Sequence, residues 1–210
     1  MDDKFQAALT KVPAVTLGFW IIKILATTFG ETMGDTVSMS WLGETTEAAG
    51  QSGLNGYLVG TALFGGLLAL LVAAQIRARH FHPFLYWATI IASTTAGTTL
   101  ADFATRSLGI GYPGGSLLLL SAVLASLLIW HRALGSISIS SVHEPSAELY
   151  YWITITFSQT LGTALGDWVA DGPLGYAGAS AIFGGALALV AAAYFRSRIS
   201  HVALFWLAFI

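Results

Sequence analysis

The sequence predicts an all-α polytopic membrane protein built of parallel two-helix repeats. Composition is the first observation, because 55% of the residues are hydrophobic and only 10% are charged, against about 25% charged residues in soluble domains. A chain with so few charged side chains cannot cover a globule of this size with polar surface. The second observation is a recurring apolar segment of about twenty residues, which is the length that spans a bilayer.

One spacing defines the recurring segment: a Trp precedes a Gly by ten residues, and this Gly precedes an Asp by five. Three segments keep this spacing, at 19–35, 86–102 and 151–167, and we call them signature helices. A fourth copy begins at Phe205 and Trp206, and we expect its end to lie beyond Ile210. Recurrence of this kind marks a repeat protein.

Helices without the signature alternate with the signature helices, so seven helices are predicted. Their expected bounds are about 13–35, 57–75, 82–102, 116–130, 148–167, 179–195 and 201–210, with a turn-rich loop at 109–115. A deeper duplication aligns residues 61–87 with 180–206 at 14 identities in 27 positions. We therefore expect one transmembrane domain over 1–210 in a two-plus-two duplication, with six complete spans, the start of a seventh, and eight in the full protein. Its repeat units lie at about 13–79, 82–132 and 147–198, with the start of a fourth at 201–210.

The charges predict the orientation. Most bases follow even-numbered helices: Arg77, Arg79, Arg132, Arg196 and Arg198. The links after odd-numbered helices carry acids, including Glu44, Glu47 and Asp171, and only Arg106 opposes them. Because basic loops face the cytoplasm, the N-terminus is predicted to be cytoplasmic and each signature helix to run outwards. Units of equal orientation are parallel repeats about an axis along the membrane normal.

The third copy ends in Gly162-Thr163-Ala164-Leu165-Gly166-Asp167. Together with its Trp, this ending resembles the signature of an uncharacterised bacterial inner-membrane family built of four tandem two-helix repeats of unknown function. The resemblance covers nearly the whole chain, although the second copy has Ala101 at the later Gly and the first has Glu31 in place of Thr. It implies an architecture and a bacterial inner (plasma) membrane location, and it implies no activity.

Several function classes lack their motifs in this sequence. The chain has no Cys, which excludes disulfides, zinc-thiolate sites and iron-sulfur clusters. It contains no phosphate-binding loop, no His-Glu-x-x-His and no nucleophile elbow, so neither an enzyme nor a cofactor is predicted. No cluster of bases suggests a nucleic acid. The expected partners are the lipid bilayer and a small cation, and a homo-oligomer is compatible with this interpretation.

Small and hydroxyl-bearing residues recur towards the end of each signature helix. The threonines are Thr27, Thr95, Thr98, Thr160 and Thr163. Small residues let helices approach closely, so the pattern fits packing seams in which hydroxyls bond back to their own helix. It equally fits several seams that converge on one axis and line a narrow passage.

The Asp of each copy is the second repeated polar group. Asp35, Asp102 and Asp167 are expected at one level near the outer face, because each follows its Trp at the same spacing. A ring of carboxylates attracts and partly dehydrates cations. The alternative is that each Asp is solvated in a loop or caps the next helix. These three residues and Glu31 are the candidates for metal binding.

Lys23 breaks the neutrality of the helix interior, and only in the first copy, since Ile90 and Ile155 stand at the equivalent positions. It lies near the bilayer middle, where a charge costs at least ~2.5 kcal/mol. Thr27 and Glu31 follow it on one helix face. A cation that gates a leak, a group that exchanges protons and a structural ion pair between repeats all fit this position.

The sequence therefore favours a multi-pass inner-membrane transporter of a small cation, including a divalent metal with proton coupling, along an axis lined by the repeated Thr, Gly and Asp. The predicted pathway residues are Lys23, Thr27, Glu31, Asp35, Thr95, Thr98, Asp102, Thr160, Thr163 and Asp167. The alternative is a non-transporting membrane scaffold or sensor whose polar residues only pack the repeats. A transporter predicts a hydrated cavity that reaches Lys23, whereas a scaffold predicts that Lys23 is buried dry against a carboxylate.

Overall fold

A computed structural model describes residues 10–43 and 55–210. These residues form seven α-helices and contain no strand, which confirms the all-α class. The helices are α1 Leu17–Asp35, α2 Gly56–Arg77, α3 Pro83–Asp102, α4 Gly111–Leu134, α5 Pro145–Ala170, α6 Gly175–Arg196 and α7 His201–Phe209. A π-helical turn extends α1 over Thr36–Trp41 and α3 over Phe103–Ser107, and a 3₁₀ turn covers Ile139–Ser141. Glu44 and Glu47 lie outside the described residues.

Helix α4 begins earlier than predicted, because the glycine-rich stretch before it is mostly helical. Gly109 (φ 71°) and Gly111 (φ 64°) make the reversal, and Pro113 sits in the first turn of α4, where its missing N–H costs no hydrogen bond. Gly115 then contacts the preceding π-helical turn, since a Cβ there would lie 2.6 Å from Thr105 Cγ2. These glycines therefore permit close packing in place of the expected loop.

Three helices, α2, α4 and α6, are long and apolar enough to cross a membrane, which indicates a membrane protein. Only 17%, 22% and 6% of the residues in their most apolar stretches are buried, so these helices lie on the outside of the bundle. The signature helices α1, α3 and α5 are long enough, but their polar side chains make them less apolar. By length and apolarity, the structure thus supports three spans and not the six that the sequence predicts.

Two of the signature helices supply most of the interior. Helix α3 is central, because it packs against α1, α2 and α5, and most of its residues from Tyr86 to Asp102 are buried. Helix α5 packs against α4 as well as α3, and α7 contacts α5 and α6. Helix α1 lies at the edge, since it packs on α3 and leaves Leu25 and Phe29 exposed.

An aromatic pair opens each signature helix, and the four pairs meet at one end of the bundle. They are Phe19–Trp20, Tyr86–Trp87, Tyr151–Trp152 and Phe205–Trp206. Ring contacts with centroids 5.5–6.4 Å apart join α1 to α3, α3 to α5, α5 to α7 and α7 back to α1. We call this the aromatic end, and the opposite end, which carries Asp35, Asp102 and Asp167, the acidic end.

Candidate functional site

The seam between α3 and α5 joins residues that are equivalent in the second and third repeats. The Tyr86 and Tyr151 hydroxyls lie 2.6 Å apart, and the Thr98 and Thr163 hydroxyls 3.4 Å apart. Between these pairs, the Thr94 hydroxyl donates to the side-chain oxygen of Gln159. Each pair is separated by 65 residues, so α3 and α5 advance in the same direction and in register. The seam is polar, buried and internally hydrogen-bonded.

Glycines bring the signature helices into close contact. A Cβ on Gly30 would lie 2.9 Å from the Ile91 carbonyl oxygen, and one on Gly97 would lie 3.1 Å from the Thr160 backbone nitrogen. Neither position has room for a side chain without a shift of the neighbouring backbone. The glycines of the first two copies therefore act as helix-packing residues.

Most of the threonines predicted to line a passage bond back to their own helix. The Thr27, Thr95 and Thr160 hydroxyls donate to backbone carbonyls three or four residues earlier at 2.8–3.0 Å. Two cavities in the described residues have volumes of about 550 and 400 Å³. Neither is lined by a predicted pathway residue, so neither corresponds to the expected passage.

Lys23 faces an aromatic ring. Its Nζ lies 4.7 Å from the centre of the Phe209 ring on α7, which is the range of a cation–π interaction. The Ser158 hydroxyl on α5 donates to the Phe209 carbonyl at 2.9 Å and so holds the end of α7 in place. Among the described residues, no carboxylate forms an ion pair with Lys23. The structural ion pair, one of the three roles that fit Lys23, is therefore not formed among the described residues, and a ring lies beside the ammonium instead.

Arg106 brings the carboxylates of two repeats together at the acidic end. Its Nε lies 2.9 Å from Asp102 Oδ1, and its Nη2 lies 3.1 Å from Asp167 Oδ2 and 3.9 Å from Asp171 Oδ2. The Tyr112 hydroxyl donates to Asp171, and the Tyr112 ring lies 5.8 Å from the guanidinium carbon. Two of the three predicted Asp residues thus share one cation.

Burial lowers the pKa of Arg106, but the neighbouring acids, Asp102 first, more than offset this and leave its pKa above the ordinary value. The guanidinium is therefore charged at every physiological pH. Glu31 and Asp35 on α1 lie close enough to Asp102 for their charges to repel it. The acidic end accordingly holds five carboxyl groups from three repeats, of which Asp102, Asp167 and Asp171 contact the guanidinium.

Asp102 is the most enclosed of these acids, with 1% of its surface exposed. Its Oδ1 forms an ion pair with Arg106, but neither of its oxygens receives a hydrogen bond from the described residues. No three acidic, His or Cys side chains in the described part of the chain are placed to hold a metal ion together. Of the candidate metal residues, Asp102 and Asp167 share Arg106, whereas Glu31 and Asp35 form no ion pair with it.

The sequence reasoning missed the role of Arg106, Tyr112 and Asp171. A signal for Arg106 was present, because it follows Asp102 by four residues and is the only base among the acidic links, and such pairs face each other on a helix. Tyr112 carried no comparable signal, since its contact with Asp171 depends on how α4 packs beside α5.

A model of the family described as Repeat of Unknown Function (DUF347) matches residues 18–81, 85–135 and 150–200. The chain belongs to this family. Each matched segment contains one signature helix and the helix after it: α1 with α2, α3 with α4, and α5 with α6. No curated protein and no solved structure matches the chain. The family description assigns no activity, so the function of this protein has to be inferred from the chemistry of its core.

Proposed function

We propose that this protein moves a small cation across a membrane through the core of signature helices. The observation that carries the proposal is the contact of Arg106 with Asp102, Asp167 and Asp171. Glu31 and Asp35 on α1 lie close enough to Asp102 to repel its charge. Carboxylates held together against their mutual repulsion concentrate cations and replace part of their hydration shell. Acids that only capped neighbouring helices would have no reason to cluster.

The charges of the connecting segments support an orientation for this path. Arg77, Arg132 and Arg196 lie in the last turns of α2, α4 and α6, and basic segments face the cytoplasm. In this proposal the aromatic end lies inside and the acidic end outside, with parallel repeats in a bacterial inner membrane. A cation then meets the carboxylates first and the aromatic rings last.

Lys23 favours an exchanger over an open channel. Its ammonium lies between the two ends of α1, and a fixed positive charge repels a cation that passes it. Passage requires Lys23 to release its proton or to leave the Phe209 ring. Either event couples cation movement to a second change, which is the defining property of a coupled transporter.

A non-transporting scaffold or sensor is the second candidate, and the packing favours it. The Gly30 and Gly97 contacts are too close for water, and the threonine hydroxyls bond to their own helices. In this alternative, the polar groups of the core only hold the repeats together.

Ion flux in proteoliposomes tests the proposal, with protons, alkali ions, Mg²⁺ and Mn²⁺ supplied in turn. We expect Glu31→Gln, Asp167→Asn and Lys23→Met to abolish the flux of the conducted ion. Glu144→Gln is the matched control, because Glu144 is an exposed acid at the start of α5, away from the acidic end. Absence of flux for every ion in folded, inserted protein contradicts transport and leaves the scaffold or sensor.

A further inference from the structure

One position of the repeat carries a different type of side chain in each of the three copies. Arg106 follows the signature Asp102 by four residues, and the equivalent positions hold Met39 in the first copy and Asp171 in the third. The arginine is therefore no part of the common packing pattern. Asp171, its equivalent, is one of the acids that contact it.

The guanidinium sits where a bound cation would sit. It contacts acids of two repeats at once, with Asp102 at 2.9 Å and Asp167 at 3.1 Å. Neither oxygen of the buried Asp102 receives a hydrogen bond from the described residues, although Oδ1 forms an ion pair with Arg106. A buried carboxylate of this kind is costly unless a ligand satisfies it. Hard oxygen ligands of this type suit small divalent cations.

The Arg106 side chain also has a second group of possible partners. Asp171 lies 3.9 Å from the same Nη2 atom that contacts Asp167, the Tyr112 ring lies 5.8 Å from the guanidinium carbon, and 43% of the Asp171 side chain is exposed. A change in the side-chain torsions of Arg106 towards them would keep an ion pair and a cation–π contact. Such a change would leave Asp102 and Asp167 without a counter-ion.

We propose that Arg106 is a tethered cation that blocks a binding site for a small divalent cation between Asp102 and Asp167, and that it swings towards Asp171 when the free cation binds. This inference rests on the proposed transport function and names how its cation site is regulated. Competition between a tethered and a free cation lets the site empty again, because Arg106 returns as the ion leaves.

Equilibrium binding of Mn²⁺ to the purified chain in detergent, followed by electron paramagnetic resonance, tests the inference. Arg106→Gln removes the competitor and is expected to bind Mn²⁺ at least tenfold more tightly than the wild type. Arg106→Lys keeps a positive charge and is the matched control, with an affinity closer to that of the wild type. Adding Asp102→Asn to Arg106→Gln is expected to cancel the gain.

Equal affinity in the wild type and a folded Arg106→Gln protein overturns the inference, as does a gain that survives Asp102→Asn. If Arg106→Gln does not fold, Asp171→Asn decides, because it removes the alternative position at an exposed site. It is expected to weaken Mn²⁺ binding, and unchanged or tighter binding overturns the inference. Binding needs no flux, so a tighter Arg106→Gln protein without transport would refute the proposed function alone.

Discussion

A buried ion pair near the aromatic end allows a sharp test of how the chain is held together. Lys11 Nζ lies 2.6 Å from Glu148 Oε1 on α5 and donates to the Gln75 and Ile76 carbonyls of α2 at 3.1 and 3.2 Å. Only 8% of Lys11 and 1% of Glu148 are exposed. The ammonium thus has an acceptor for each of its three protons, and two of these acceptors are carbonyls in the last turn of α2. The Gln75 carbonyl also accepts from the Ala78 N–H.

The change Lys11→Met leaves Glu148 buried with no cation beside it. Removing one partner of a buried ion pair costs about 3–5 kcal/mol, and 1 kcal/mol shifts the Tm of a chain of this length by about 2–4 °C. We therefore expect the Tm to fall by about 6–20 °C. Lys11→Met combined with Glu148→Met should recover most of this loss, because apolar side chains of similar volume often replace a buried pair at little cost.

Thermal unfolding in detergent micelles, followed by circular dichroism, measures both changes. Arg79→Met is the matched control, since Arg79 is an exposed base close to the end of α2 and surface substitutions usually change stability by less than about 0.5 kcal/mol. A Tm of Lys11→Met equal to that of the control, or a double variant no more stable than the single one, would refute the reasoning.

Two further predictions concern the core. Gly30→Ala places a Cβ 2.9 Å from the Ile91 carbonyl oxygen and should destabilise the protein by about 1–3 kcal/mol. Gly66→Ala is the control, because its Cβ meets nothing within 4 Å, and it should be neutral or stabilising. Equal Tm values for the two variants would show that the α1–α3 seam has room for a side chain. Tyr86→Phe leaves the buried Tyr151 hydroxyl without its partner and should cost about 1–3 kcal/mol. Adding Tyr151→Phe should recover part of this loss, and a further loss in chemical unfolding experiments would contradict the pairing.

The helices were predictable because their signal is local. Apolar runs of bilayer length, broken by polar or glycine-containing links, predicted all seven helices, and six of them begin and end within four residues of the predicted bounds. The exception is α4, which begins five residues early and ends four residues late, because Pro113 and two glycines are compatible with either a loop or a helix start. The six-span count was not supported, because the polar side chains of α1, α3 and α5 make these helices less apolar than α2, α4 and α6.

The site was predictable only as far as the repeat spacing reached. Equal spacing predicted Asp35, Asp102 and Asp167 at one level, and in the structure Asp102 and Asp167 both contact Arg106. The partner of Lys23 could not be predicted, because its contact with the Phe209 ring depends on how α7 packs in the bundle. Contacts between helices distant in sequence depend on packing, which the spacing of one helix does not encode.

Some equivalent positions of the repeats hold the same residue in each copy, and others hold different residues. The shared glycines, threonines and aromatic pairs form the seams and the aromatic end, where equivalent residues meet one another. The charged exceptions lie elsewhere: Lys23 stands where other copies have Ile, Glu31 where they have Thr, and Arg106 where they have Met and Asp. A symmetric frame needs no such charges for packing, and each costs free energy in a membrane. We therefore expect substitutions at the positions that differ between copies to affect activity more than substitutions in the shared seams.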